Sequence, residues 1–499
     1  MKLFDFISRK HLAILFCLVF FYLTIHIVFI KQIPIFTDEA IYVRWTQIAA
    51  NDASLRYISL VDGKQPLPIW IGMVPVKLFS DSLLAVRLMS VFYGLLSIFG
   101  IYLLGRIYKN SLAGLIATTL FVLSPFFFIY NRLALYESLI STLGIFSLLL
   151  ITLLVRFLRL DLAMILGFVL GLGMLTKSSA NFFIYLMPLS LLTVSNQKQR
   201  FKIKKSIRAF LLFLLSIFIA TAMFNTLRLF PLFNTIGQKD HTFILTYKEF
   251  FNNPLYLVFG NTPTMLVWAF QYLTPVLSIL FIFAIIYYLY KREAKILFLL
   301  LWIFIPFSAT AFFGKIIYPR YILYLFPAIF IIISIFSVDV LLRMKVNRMR
   351  YLYISILLLG PLAAILSIIY NPSTSSIPRN DKNQLVDDWP AGGGVIESVE
   401  IIKNAASLES VFVGTEGTFG LMPYALEIEL VNNPNVKIQG YYPVKELPVE
   451  VIEMSKTQKT YFIYNLTQDE KVFSDPKLKL VGKYRKGNSE TFLRIFEVR

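Results

Sequence analysis

Charge is scarce in this chain. Of its 499 residues only 15% are Asp, Glu, Lys or Arg, against about a quarter in ordinary globular proteins. A soluble chain of this length would split into several domains, each needing a polar surface. Too few polar residues are present to make those surfaces. With 57% hydrophobic residues and a mean hydropathy of +0.69, a soluble enzyme, a disordered regulator and a fibrous protein are all excluded. Cysteine is nearly absent too. Cys17 is alone, so no intramolecular disulfide can form. Its place inside an apolar run reads as a buried, inert thiol. No internal repeat or low-complexity tract is visible.

What the chain has in quantity is apolar runs. A bilayer crossing needs about 20 apolar residues. Candidate spans lie near 12–30, 83–105, 111–130, 137–155, 162–176, 180–195, 209–225, 265–290, 296–313, 321–340 and 351–370. The expectation is therefore a polytopic α-helical membrane protein of about 11 transmembrane helices. The first span follows a basic end (Lys2, Arg9, Lys10) and no small-residue cleavage site follows it, so it reads as an anchor.

The net charge of +19 is unevenly divided. Residues 1–370 carry 33 Lys+Arg and 12 Asp+Glu, which is +21; residues 371–499 carry 15 and 17, which is −2. A nucleic-acid binder would place its basic excess on a soluble face. Here the excess sits among the spans, as the bias of Lys and Arg toward cytoplasmic loops requires, so no nucleic-acid partner is expected. Arg106/Lys109, Arg156/Arg159, the run from Lys198 to Arg208, Lys291/Arg292/Lys295 and the run from Arg343 to Arg350 fall in alternate connections. They put the N-terminus in the cytoplasm, and an odd number of spans then puts residues 371–499 outside the cell membrane.

Two outer connections, 31–82 and 226–264, are long enough to have a function of their own. After Asn371 the composition changes to alternating strands and short amphipathic helices. Ser410–Thr415 and Lys459–Asn465 read as strands, Glu397–Ala406 as a helix, and Leu478–Arg499 as a hairpin turning at Lys486-Gly487-Asn488. The reading is two domains: a membrane domain, 1–370, and a small α/β domain, 371–499.

Ionisable residues at membrane depth are costly, so each one invites a functional reading. Five outer places carry them. The first is Asp38-Glu39, just past the first span, with Tyr42 close behind. Adjacent side chains on a helix do not converge, so one carboxylate can face a site while the other serves a neighbour. The plainer alternative is a helix start, with Thr37 or Asp38 as the cap. The second is Lys64, held in the Gly63–Pro66 turn, where an interfacial loop anchored by Trp70 is the alternative. The third is Arg132 with Glu137, which a structural ion pair would also explain. The fourth is Lys177 between two apolar halves, where snorkelling to the interface is the alternative. The fifth is the basic and aromatic stretch Lys315–Tyr321, with Arg320. Several of these cations occupy short outer turns that the orientation rule disfavours. Cations near carboxylates at the outer interface suit a phosphate-bearing lipid: Arg and Lys neutralise the phosphate, and a carboxylate serves as general base.

These same residues carry a resemblance. The acidic pair after the first span resembles the first-loop motif of GT-C glycosyltransferases. The similarity is to the dolichyl-phosphate-mannose–protein mannosyltransferase family and the bacterial lipid A aminoarabinose transferases. Gly63-Lys64-Gln65-Pro66-Leu67-Pro68-Ile69-Trp70 resembles their Lys-Pro-Pro stretch, Ser124-Pro125 through Glu137 their second acidic turn, Leu175-Thr176-Lys177 their Leu-Thr-Lys-Gly motif, and Arg320-Tyr321 with Pro327 their Arg-Tyr-Leu-Leu-Pro stretch. Three positions depart from the pattern: Gln65 for the first proline, Ser178 for the glycine, and Glu137 for the usual Asp.

The resemblance implies a membrane glycosyltransferase of GT-C type that moves a sugar from a polyprenyl-phosphate donor onto a glycan, lipid or protein acceptor, with inversion. Asp38 would be the base and Glu39 its support or the acceptor's orienter. Lys64, Arg132, Lys177 and Arg320 would hold the donor phosphate, with Glu137, Tyr42 and Tyr321 in support. A divalent cation is conceivable, because Asp38, Glu39 and Glu137 offer oxygen ligands; no ligand spacing specifies one, and no cofactor is established. A transporter or flippase would use the same ions as a substrate path but would show repeated halves. An O-antigen-type ligase or polymerase would favour a large outer loop rich in Arg and His.

Overall fold

The computed structural model describes residues 9–194, 203–469 and 471–499. Lys2, and the part of the basic connection from Lys198 to Arg208 that precedes residue 203, lie outside the described residues. Contacts divide the chain into two compact units: Met1–Val28, Tyr57–Pro68 and Ser90–Leu366 in one, and Phe29–Arg56, Ile69–Met89 and Ser367–Arg499 in the other. The first outer loop, grouped with the membrane domain from sequence, is thus shared between the two, and most of it falls with the tail.

Eight of the described helices are long and apolar enough to cross a membrane: Arg9–Val28, Ser82–Tyr108, Tyr136–Phe157, Lys204–Leu229, Val258–Lys291, Ala294–Phe313, Pro319–Arg343 and Asn347–Tyr370. At the three remaining runs of the expected eleven the helices are shorter: Ser111–Val122, Leu160–Met174 and Ser178–Thr193. The reason is local. At 111–130 the run is cut by Leu123-Ser124, and Pro125 opens a separate six-residue helix, Pro125–Tyr130. Twelve residues at about 1.5 Å each give ~18 Å, short of a hydrocarbon core of ~30 Å. At 162–195 Lys177 takes an extended backbone (φ −161°) between two short pieces. With these spans the chain is a multi-pass membrane protein.

In the first unit the spans are not equivalent. Tyr136–Phe157 has 89% of its apolar window buried, whereas Arg9–Val28 has 22%. The central helix packs on other helices, and the outer one presents apolar side chains all round, as a helix in lipid does. Cys17 lies on that outer helix and is exposed, which corrects the reading of a buried thiol. Rings fill the centre: Phe126 stacks on Tyr272 at 3.8 Å between centroids and meets Phe326 edge-on at 4.8 Å. Such aromatic pairs add to the burial of their area.

In the second unit the tail forms a five-stranded sheet. Its strands are β1 (Val411–Glu416), β2 (Val436–Tyr441), β3 (Lys459–Tyr464), β4 (Leu478–Arg485) and β5 (Phe492–Val498), in the order β2-β1-β3-β5-β4. β2, β1 and β3 run parallel; β5 is antiparallel to β3 and to β4. Both expected strands, the helix Val395–Ala406 and the final hairpin are present. The helix buries Val395, Ser398, Val399, Ile402 and Ala406, the three-and-four spacing of one face. Gly487 sits in the hairpin turn at φ +48°, and a Cβ there would meet Asp387 Oδ1 at 2.0 Å. Glycine fits because it alone takes that conformation without steric cost. Phe412, Val451, Phe462, Tyr464 and Phe496 form the core over the sheet.

Candidate functional site

Each unit holds one set of the residues singled out in the sequence. In the second unit, Phe36 is extended and its backbone bridges Ala391; Thr37 N–H then donates to Pro390 O at 3.0 Å, and the helix Thr37–Asn51 begins. The cap position is Phe36, with no side-chain cap bond, so Asp38 and Glu39 are first-turn residues and not caps. The partial positive charge of the helix start favours their ionised forms.

The two acids then diverge. Asp38 is partly exposed, whereas Glu39 is fully buried. Arg87 grips Glu39 with both arms of its guanidinium: Nε donates to Oε1 at 2.9 Å and Nη2 to Oε2 at 2.7 Å. Its remaining hydrogens go to the carbonyls of Ile30, Ile33 and Pro34. One planar fork therefore ties the loop before the helix to the first turn of the helix, a geometry lysine could not supply. Arg87 escaped the sequence reading. The signal was there, since a lone arginine near the start of an apolar span needs a partner. Tyr42 is buried on the same helix, with its ring 6.1 Å from that of Trp45.

In the first unit, a different group forms. Glu137 lies in the first turn of Tyr136–Phe157. Its Oε1 accepts from Lys177 Nζ at 2.8 Å and lies 3.6 Å from Arg320 Nε. Tyr321 completes the group, with Lys177 Nζ 4.6 Å from the ring centroid, while Arg320 lies 4.7 Å from the ring of Tyr318. Four residues from three separate stretches of sequence thus converge, with two cations for one carboxylate. Arg132 is buried, donates from Nε to Phe128 O at 2.6 Å, and lies 3.7 Å over the Phe128 ring.

Lys64 follows Gly63, which adopts φ +63°. A Cβ at Gly63 would strike Thr235 O at 2.5 Å and Lys239 Cβ at 2.6 Å, so the Lys64 turn needs glycine both for its conformation and for its closeness to the helix Thr235–Phe243. Lys64 Nζ lies 5.3 Å from the Phe243 ring, and Asp62 pairs with Lys239. Gln65 and Ser178 meet by a hydrogen bond of 2.8 Å, and Ser178 donates to Asp240. Asp240 had not been singled out. Burial raises the pKa of its carboxyl above the usual range.

A divalent cation does not fit these residues. Both oxygens of Glu39 are held by Arg87, and Glu137 already faces two cations. Among the described residues no three His, Cys, Asp or Glu side chains gather as metal ligands would.

Residues 63–224 match the family described as dolichyl-phosphate-mannose-protein mannosyltransferase. No curated protein sequence matches the chain. Among solved structures, ArnT from Cupriavidus metallidurans bound to undecaprenyl phosphate is 13% identical; the match covers 98% of each chain with a TM-score of 0.58. The oligosaccharyltransferase AglB from Archaeoglobus fulgidus, in complex with an inhibitory peptide and a dolichol-phosphate, is 13% identical over 92% of this chain and 69% of that one, with a TM-score of 0.51. Helical architecture and these matches agree: the chain is a multi-pass membrane protein of GT-C fold that resembles the protein mannosyltransferase and ArnT glycosyltransferases.

Proposed function

We propose that this protein is a glycosyltransferase that moves a sugar from a polyprenyl-phosphate donor to an acceptor hydroxyl at the outer face of the cell membrane. The observation that carries this reading is the Glu137–Lys177–Arg320 group. It brings a lysine and an arginine together in a largely buried place, within the stretch or at the junctions where the chain resembles the family. Lysine and arginine held together in this way suit an anion such as a phosphate. The phosphate of a lipid carrier is that anion, and the relatives bound to undecaprenyl phosphate and dolichol-phosphate support the choice.

In this reading Asp38 takes the proton of the acceptor hydroxyl as its oxygen attacks the anomeric carbon. The bond from that carbon to the phosphate oxygen breaks, and polyprenyl phosphate leaves with the electron pair. Attack from the face opposite the leaving group inverts the anomeric centre. Lys177 and Arg320, with Lys64 and Arg132 as further candidates, stabilise the charge that develops on the phosphate. A phosphate so neutralised leaves without a proton, so no general acid is needed. Glu39 does not touch substrate; through Arg87 it holds the first turn that carries Asp38, and Glu137 sets the geometry of the two cations. The distribution of Lys and Arg favours a cytoplasmic N-terminus, and with the three shorter apolar runs counted as crossings, residues 371–499 lie outside.

The test is transfer from a lipid-linked sugar in reconstituted vesicles. Asp38→Asn should lower turnover about 1,000-fold while the purified protein still binds undecaprenyl phosphate. Wild-type turnover by that variant would overturn the base assignment, and failure of the wild-type protein to bind undecaprenyl phosphate would overturn the whole reading.

A further inference from the structure

Two of the three departures from the family pattern, Gln65 and Ser178, lie far apart in sequence and are bonded to each other. Gln65 Nε2 donates to Ser178 Oγ at 2.8 Å, and Ser178 Oγ donates to Asp240 Oδ2 at 3.1 Å. Where the resembled motifs have proline and glycine, neither could make these bonds. The three side chains line one half-open cavity of about 300 Å³, at the small end of the range for ligand pockets.

The cavity has two kinds of wall. Phe224, Phe233 and Ile236 supply apolar faces, while Gln65, Ser178, Asn181, Asn234 and Asp240 supply amides, a hydroxyl and a carboxylate. That mixture suits a ring with apolar faces and hydroxyls around its edge. A lipid tail would leave the polar groups unanswered, and a phosphate would meet the Asp240 carboxylate. Two of the candidate phosphate cations stand directly next to this wall in the chain: Lys64 precedes Gln65, and Lys177 precedes Ser178. Each connection therefore delivers a cation and a polar lining residue side by side.

We propose that this cavity holds the sugar of the lipid-linked donor, with Asp240 and Gln65 hydrogen-bonding its hydroxyls and Ser178 fixing the orientation of both. The assignment rests on the glycosyltransferase reading above and deepens it, because it makes Gln65, Ser178 and Asp240 the residues that select the sugar. With Ser178 donating to one oxygen of Asp240 and accepting from the Gln65 amide, the second Asp240 oxygen and the Gln65 carbonyl are left to accept from sugar hydroxyls. Vicinal hydroxyls are read well by such paired acceptors, and loss of one leaves a buried polar group unpaired. Gly237, also on the wall, has nothing within 4 Å of where a Cβ would stand. A Cβ there stands in open space, so a larger side chain can extend from this wall.

The experiment compares two kinds of probe on the purified full-length chain. One is undecaprenyl phosphate. The other is undecaprenyl phosphate linked to mannose, glucose, galactose or aminoarabinose. Wild-type protein should bind at least one sugar-bearing lipid more tightly than the bare phosphate. Asp240→Asn and Gly237→Leu should each weaken that lipid tenfold or more and leave the bare phosphate within twofold, with unchanged thermal stability for Gly237→Leu. Equal losses on both probes, no loss on either, or no preference for any of the four sugars would overturn the assignment. So would a loss confined to the acceptor KM, which would make the cavity an acceptor site. Failure of wild-type protein to bind undecaprenyl phosphate would instead bring down the glycosyltransferase reading, and the sugar pocket with it.

Discussion

The two units each bury a carboxylate against cations, but they balance the charge differently. In the second unit Glu39 and Arg87 neutralise each other, and Arg87 spends its remaining hydrogens on three backbone carbonyls. Nothing is left over for a ligand, and both side chains are at most 1% exposed. In the first unit Glu137 is shared by Lys177 and Arg320, and Lys177 keeps 28% of its side chain exposed. A sealed and neutral pair is a fastener. Two cations gathered on one carboxylate, one of them part-exposed, are suited to receive an anion. Burial thus distinguishes the two sets, although all five side chains are ionisable residues.

The sharpest test of this contrast lies within one helix turn. Asp38→Asn should lower kcat about 1,000-fold, within the usual range for removal of a general base, and leave the melting temperature unchanged. Glu39→Gln should do the reverse in kind. It strands Arg87 as a buried charge and should cost about 3–5 kcal/mol of stability, read by thermal unfolding of the purified protein. The double variant Glu39→Leu with Arg87→Met should recover much of that loss, because neither charge then remains uncompensated. Additive losses would show that the pair is not the fastener described.

For the open group, Lys177→Met and Arg320→Met should each weaken undecaprenyl phosphate binding by about 1–3 kcal/mol, the scale of a hydrogen bond to a charged group. Titration at two salt concentrations checks this, since the loss should shrink as salt rises. Unchanged affinity in both variants would return Lys177 to the role of interfacial anchor.

The smallest effect concerns a buried lysine in the tail. Lys486 donates to Trp389 O and to Asn465 Oδ1, and burial pushes its pKa down to about 7. Between that value and the ordinary lysine value near 10.4, the unfolded chain binds a proton that the folded chain does not. Stability of the tail should therefore rise with pH across this window and stay flat below it. A melting temperature that climbs by a few degrees from pH 7 to 9.5 in wild type, but not in Lys486→Met, is the expected result.

Much of the first unit was legible because its motifs are short and local. The resemblance lay in stretches such as Leu175-Thr176-Lys177 and Arg320-Tyr321, each a single turn between spans. Their convergence on Glu137 was not legible, since it joins positions up to 183 residues apart, from 137 to 320. Arg132 was read as a possible partner of Glu137 from a spacing of five residues; the structure gives Glu137 the more distant Lys177 and Arg320. The tail's strands were legible from alternation, and the split of the first outer loop between two units was not.

What the sequence alone determined were quantities that add along the chain: apolar length, the side bias of basic residues, the change of composition after Asn371, and the presence of an acidic pair past the first span. These need no knowledge of neighbours, because the bilayer and the backbone impose them on every segment independently. What only the tertiary structure decided was the assignment of partners. Asp38 and Glu39 are adjacent in sequence, and became a partly exposed carboxylate and a sealed one as Arg87, 48 residues on from Glu39, packs against the second. Gln65 and Ser178 were two unrelated departures until the fold brought them within 2.8 Å of each other. Hydrogen bonds and ion pairs act over a few ångströms, so the chemistry of a buried polar residue is set by whichever distant segment packs against it.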